Sequence, residues 1–156
     1  MLGRTYEREN CSAARALEVA GERWSLLILR DAIFRGRTRF SEFQTSLGIA
    51  TNVLAARLER FVADGLMELR PIPGHPDQSE YRLTEKGLDF TGALVALTAW
   101  GDKWSALDGP PIDYRHDTCG GPVTTELRCA TCNSLVQPGD VHAEPGPGSR
   151  RKRARR

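Results

Sequence analysis

Four residues toward the C-terminal end have the types and spacing of a metal site: His116-x2-Cys119 is followed, after nine intervening residues, by Cys129-x2-Cys132. Each pair can form a turn that offers two ligands, and four such ligands suit a tetrahedral zinc ion with no coordination position left open. Gly120-Gly121 favours a turn after Cys119. The intervening VTTELR can make a short strand or hairpin with almost no core of its own, so the expected zinc is structural. One zinc per chain is expected, held by His116, Cys119, Cys129 and Cys132. The same residues also allow three thiolates with a water, a Cys129 to Cys132 redox pair, or no metal.

A second set of residues is polar and basic. Residues 50–66, ATNVLAARLERFVADGL, carry Val53, Leu54, Leu58, Phe61 and Val62 at helical spacing on one face. The opposite face presents Thr51, Asn52, Ala55, Ala56 and Arg60, with Arg57 at its edge. Small residues there permit close approach. A helix fits the major groove of B-DNA, where Asn can pair with adenine and Arg with guanine in a bidentate manner, each worth about 1 to 3 kcal/mol. Upstream, RGRTRF puts Arg35, Arg37 and Arg39 on one local surface suited to phosphates, and downstream Arg70 and Arg82 flank a Pro/Gly-rich turn. Taken singly, an arginine in a loop or an Asn on a surface helix is usually just solvated, so these residues need a fold that gathers them.

The elements that would gather them can be read along the chain. Helices are predicted over 12–20 (with Ala13, Ala16, Leu17 and Ala20 on one side), over the strongly apolar 22–34, and over SEFQTSL with Ser41 as N-cap. LGIAT turns into the helix of residues 50–66, whose N-cap is expected at Thr51 and which Gly65 closes. Extended MELRPI, a turn PGHPDQ and extended EYRLT follow as a hairpin, and a helix leading into a hairpin is the plan of a winged helix. From Thr84 to Leu107 one long helix is predicted, with Leu88, Leu94, Val95, Leu97 and Trp104 as an apolar stripe and Trp100 and Trp104 as anchors.

Several separated motifs, GERWSLLILRD, RFSEF, VLAARLERFVADGLMELRP, EYRLTEKG and AWGDKW, resemble the HxlR family of bacterial transcriptional regulators in order and spacing over about Cys11 to Trp104. The family usually opens its recognition helix with Ser, often followed by Pro; Ala50 and Thr51 stand there instead. The resemblance implies a dimer built through the N-terminal helix and the long C-terminal helix. It also implies DNA contacts from Arg37, Arg39, Thr51, Asn52, Ala55, Ala56, Arg57, Arg60, Arg70 and Arg82. Some relatives sense oxidants through a cysteine near Cys11, which here is followed by Ser rather than the family's usual Pro; a partly buried, unreactive thiol is the alternative.

Composition bounds these readings. With 156 residues and 40% hydrophobic content, the chain can build one modest core and an accessory module. Its formal charge of +2 hides an asymmetry, because the closing RRKRARR supplies six positive charges and leaves the preceding 149 residues at −4. Attraction to nucleic acid must therefore come from local clusters or from that tail. No stretch approaches a membrane span and MLGRTYEREN lacks a secretory core, so a cytoplasmic protein is expected.

The expected fold class is mainly α (α+β): a winged helix-turn-helix with flanking dimerisation helices and a small C-terminal zinc-ribbon-like module. The expected parts are 1–108 for the winged helix, 109–138 for the zinc module after Gly109-Pro110-Pro111, and 139–156 as a disordered basic tail. The expected function is that of a regulator binding double-stranded DNA as a homodimer on a pseudo-palindromic promoter site, with repression by promoter occupancy as one mode. The competing class is a winged-helix interaction module that docks through the zinc module and the C-terminal helix. No His, Cys and carboxylate set on the core is arranged for catalysis, so no enzyme is expected.

Overall fold

The computed structural model describes Tyr6 and residues 10–149; the expected basic run at 150–156 lies outside the described residues. Two compact units divide the chain, one centred on Cys11–Leu94 and the other on the stretch from Val95 onward.

In the first unit, α1 (Ser12–Ala20), α2 (Ser25–Phe34), α3 (Phe40–Leu47) and α4 (Thr51–Ala63) lead into a two-stranded antiparallel hairpin of β1 (Met67–Ile72) and β2 (His75–Leu83), then the short α5 (Glu85–Asp89). One core holds it together. Ile28 and Leu29 of α2, Phe43 of α3, and Leu54, Leu58 and Phe61 of α4 are fully or almost fully buried, with Ile49, Leu66 and Met67 closing the ends of the cluster. The α1 face differs from expectation: Ala14 and Ala20 are buried, whereas Ala13, Ala16 and Leu17 are exposed. Val62 is likewise 37% exposed rather than committed to the core, because it sits on the flank of α4 beyond the Leu54–Leu58–Phe61 seam.

The helix-turn-helix is fixed by local chemistry. Gly48 ends α3 at φ 61°, a left-handed position that suits glycine, and its N–H returns to the Gln44 carbonyl at 2.9 Å. The start of α3 is held not by Ser41 but by Glu42, whose carboxylate accepts from the Thr38 and Arg39 N–H groups at 2.9 and 3.0 Å. The N-cap position of α4 falls on Ala50, which has no side chain to cap with. Thr51 instead accepts from Gln44 Nε2 at 2.7 Å and so ties α4 to α3.

The hairpin turn is tighter than the sequence suggested. Ile72 pairs with His75 around Pro73-Gly74, with Gly74 at φ 79°, which suits a turn with Pro second and Gly third. The strand β2 therefore begins at His75, and the register shift beside Pro71 gives it residues 76–78 as extra length near the tip.

Two helices occupy the place of the long one predicted from Thr84. Thr84 caps α5 by accepting from the Gly87 N–H at 3.2 Å, but at the far end Thr91 Oγ1 donates to the Leu88 carbonyl at 2.6 Å. That side-chain bond competes with helix continuation, and a separate helix, α6 (Thr91–Ser105), starts there. Gly87 is buried, and a Cβ on it would lie 2.2 Å from the Leu66 carbonyl oxygen. Gly87→Ala is accordingly expected to cost about 1 to 3 kcal/mol, because backbone has to move to admit the methyl group. A denaturant melt matching the parent would refute this.

In the second unit, α6 displays Leu97, Trp100 and Trp104 at 48%, 62% and 66% exposure on its surface, and Lys103 Nζ lies 4.9 Å from the Trp104 ring. Thr98 and Tyr114 are joined through their hydroxyls at 3.3 Å. Beyond this, a ten-residue pattern occurs twice, 13 residues apart. Residues 114–123, YRHDTCGGPV, and residues 127–136, LRCATCNSLV, fold alike. Single bridges pair Arg115 with Pro122 and Arg128 with Leu135. In the first turn His116 N–H donates to Gly121 O at 2.9 Å and Gly120 N–H to His116 O at 2.8 Å; in the second, Cys129 N–H donates to Ser134 O at 3.0 Å and Asn133 N–H to Cys129 O at 2.9 Å. Val123 and Val136 close the two turns onto Tyr114 and Leu127, each at 2.9 Å. A short 3-10 turn at Pro138–Asp140 follows.

Candidate nucleic-acid interface and paired knuckles

The polar face of α4 comes from the helical period once Leu54, Leu58 and Phe61 are buried. Thr51, Asn52, Ala56 and Arg60 are exposed there and Ala55 is half-buried, which leaves a face with little bulk near its N-terminal turn. Two basic positions are already engaged. Arg57 pairs with Glu22 at 3.0 Å and its Nε is buried with no hydrogen-bond partner among the described residues, so its charge is turned toward the α2 start. Arg60 pairs with Asp64 one turn on at 2.8 Å, but stays half exposed and can exchange that partner for another acceptor.

The arginine loop is brought to the hairpin by backbone. Thr38 O accepts from Tyr81 N–H at 2.7 Å, so the segment carrying Arg37 and Arg39 runs beside β2. Both arginines are exposed. Glu42 and Glu80 mark their field. The bonds from the Thr38 and then the Arg39 N–H hold the Glu42 carboxyl below its usual range, with Arg37 and Arg39 adding to this. Glu80 is lowered chiefly by its bond to Arg82, with Thr38 and Arg39 contributing. In the hairpin, Arg82 pairs with Glu80 at 2.8 Å and Arg70 with Glu68, both arginines remaining exposed.

One organising group escaped the sequence reading. Asp31, fully buried in α2, receives Arg30 Nε and Nη2 at 2.9 and 2.7 Å, Arg35 at 3.3 Å and the Ser46 hydroxyl at 2.6 Å. Its backbone carbonyl accepts from Arg35 and Arg37 at 3.2 and 3.1 Å. A buried carboxylate is tolerated only when it is paired and hydrogen-bonded in this way, and here it locks the end of α2, the arginine loop and α3 to one another. The signal was an Asp inside the apolar run ILRDAIF.

The expected metal ligands fall into two turns. His116 Nδ1 stands 3.3 Å from Cys119 Sγ in the first. In the second, the Cys132 thiol is lowered to about 7, mainly by hydrogen bonds from the Ser134 side chain and backbone, with Cys129 adding to them. The two pairs do not converge: no group of three or more His, Cys, Asp and Glu side chains gathers at one point among the described residues. Cys11 occupies the N-cap position of α1, exposed, with its carbonyl accepting from the Arg15 N–H at 3.1 Å.

A family model for the HxlR-like helix-turn-helix matches residues 19–108. The chain belongs to that family. It is 44% identical over 154 residues to an uncharacterised HTH-type transcriptional regulator of Mycobacterium tuberculosis, covering 98% of this chain and 96% of the relative. Among solved structures, PA1607, provisionally classed as a transcription factor, superposes with a TM-score of 0.79 at 39% identity, covering 89% of this chain and 97% of its own. The reduced form of the redox regulator HypR superposes with a TM-score of 0.53 at 26% identity, covering 60% of this chain and 92% of its own. The PA1607 match is too wide to lie within residues 19–108 alone, so it takes in part of the C-terminal unit. This HxlR-type chain is a DNA-binding transcriptional regulator of mostly helical winged helix-turn-helix fold, and its family members are regulators, not enzymes. No described helix is long and apolar enough to cross a membrane.

Proposed function

We propose that the chain works in the cytoplasm as a homodimer that represses by occupying a pseudo-palindromic promoter site, with its two α4 helices in successive major grooves about 34 Å apart. The carrying observation is the division of α4 into a seam buried by Leu54, Leu58 and Phe61 and a small polar face formed by Thr51, Asn52, Ala55, Ala56 and Arg60. Arg37 and Arg39, held beside β2 by Thr38, supply phosphate contacts, and Arg70 and Arg82 supply those of the wing. Arg57, at the edge of that face, steadies α4 through its pair with Glu22.

The dimer is supported by the exposed Leu97, Trp100 and Trp104 face of α6, a patch that a second copy would cover. It is also supported by arithmetic: one short recognition helix reads too few base pairs to find a site in a genome, and two half-sites multiply the discrimination. Sequencing genomic fragments captured by the purified protein tests the reading. A shared motif with two half-sites one helical turn apart is expected, and capture of random DNA would overturn it in favour of the docking-module class.

The charges divide by role. Arg37→Ala and Arg39→Ala are expected to weaken cognate and random duplex by similar factors. Truncation after Ser149, which removes six positive charges, should also weaken both and flatten the dependence of log affinity on log salt, by up to about 0.9 per lost phosphate contact. An unchanged slope in a fluorescence-anisotropy salt series would assign the tail to solubility alone.

A further inference from the structure

We propose that the two ten-residue knuckles are the halves of one zinc site, with His116 Nδ1 and Cys119 from the first and Cys129 and Cys132 from the second binding a single ion per chain. The duplication carries the proposal. His116 occupies in the first turn the place of Cys129 in the second, and Cys119 that of Cys132. The residue after each second ligand, Gly120 at φ 68° and Asn133 at φ 58°, takes the left-handed conformation that lets backbone N–H groups face back over the ligand pair. Even the outer supports repeat. Arg115 pairs with Asp113 at 2.9 Å and donates to Gly120 O at 3.5 Å, while Arg128 pairs with Glu126 at 2.8 Å and donates to Asn133 O at 2.8 Å.

Such regular geometry has no apolar cause. Across 113–136 every residue is exposed except Tyr114, Gly121, Cys129 and Val136, and those are only half-buried. A segment of this kind needs a crosslink or a metal to repay its ordering entropy. The bite of the first turn fits an ion: its 3.3 Å Nδ1 to Sγ separation is close to the tetrahedral edge of about 3.5 Å implied by the Zn–N and Zn–S bond lengths. One knuckle supplies half a tetrahedron. In this structure the two pairs stand apart among the described residues, so a single site needs them brought together across the exposed connector 124–126.

The full chain, purified without chelator, tests this by metal analysis and Co2+ titration. One metal per chain is expected, with the intense visible spectrum of tetrahedral thiolate-bound Co2+. His116→Ala, Cys119→Ser and Cys132→Ser should each weaken Co2+ binding by more than about 100-fold, beyond what loss of an outer support costs. His116→Cys should keep one metal per chain and raise the thiolate charge-transfer intensity in proportion to four sulfurs instead of three. The melting of the winged helix reads folding separately from metal. No bound metal at micromolar Zn2+ or Co2+, one metal per two chains, or a His116→Ala protein that binds as tightly as the parent would each overturn the proposal. DNA binding is measured apart, so failure here leaves the regulatory reading standing.

Discussion

Leu58→Ala is expected to lower the unfolding free energy of the winged helix by about 2 to 5 kcal/mol, the range for deleting a fully buried leucine with incomplete collapse around the cavity. Leu58 is 0% exposed and belongs to the same buried cluster as Ile28, Leu29, Phe43, Leu54 and Phe61. It lies in the middle of α4, so few neighbours can move inward without disturbing the helix that carries the DNA-facing residues. For a unit of this size, total stability is about 5 to 10 kcal/mol and each kcal/mol shifts the thermal midpoint by about 4 to 8 °C. The substitution should therefore lower the midpoint by about 8 to 40 °C and lose DNA binding only as the fold is lost. Leu58→Met, which conserves volume, should cost less than about 1.5 kcal/mol. A Leu58→Ala protein that melts with the parent would mean that α4 is not the keel of this core.

The positions legible in the sequence were those where a single period decided. Leu54, Leu58 and Phe61 follow from helical spacing alone, and so does the opposite polar face. The hairpin was legible because its strands are bounded by Gly65 and by the Pro/Gly turn. What escaped depended on competition between near-equal local options. Glu42 rather than Ser41 caps α3, because a carboxylate reaching back to two N–H groups outdoes a hydroxyl. The helix predicted from Thr84 breaks at Phe90, because the Thr91 hydroxyl takes a carbonyl that the ladder would have used. The roles of Asp31 and Thr38 depend on tertiary neighbours, Ser46 and Tyr81, that no local window contains. In the C-terminal unit the spacing of four ligands was visible, but the equivalence of the two turns appears only when their hydrogen bonds are compared pair by pair.

Asn52→Ala should leave stability within about 0.5 kcal/mol of the parent, because the side chain is exposed on the first turn of α4. Its effect on cognate DNA should be far larger. A bidentate contact to a base is worth about 1 to 3 kcal/mol, and in a homodimer the change is made at both half-sites. Cognate affinity is therefore expected to fall by at least about 30-fold, since every 1.4 kcal/mol is tenfold, while affinity for random duplex hardly moves. Arg60→Ala should do less. Arg60 already holds Asp64 at 2.8 Å, and giving up that pair offsets part of what it gains from a guanine or a phosphate. The two substitutions lie on one exposed face and should act together on the ratio of cognate to random affinity, not on folding. Competition titrations of the selected site against random duplex, run at one fixed salt concentration, read that ratio directly. If the Asn52→Ala, Arg60→Ala double variant keeps the parent's ratio, this face of α4 does not read bases, and sequence preference must come from the wing or from the shape of the DNA.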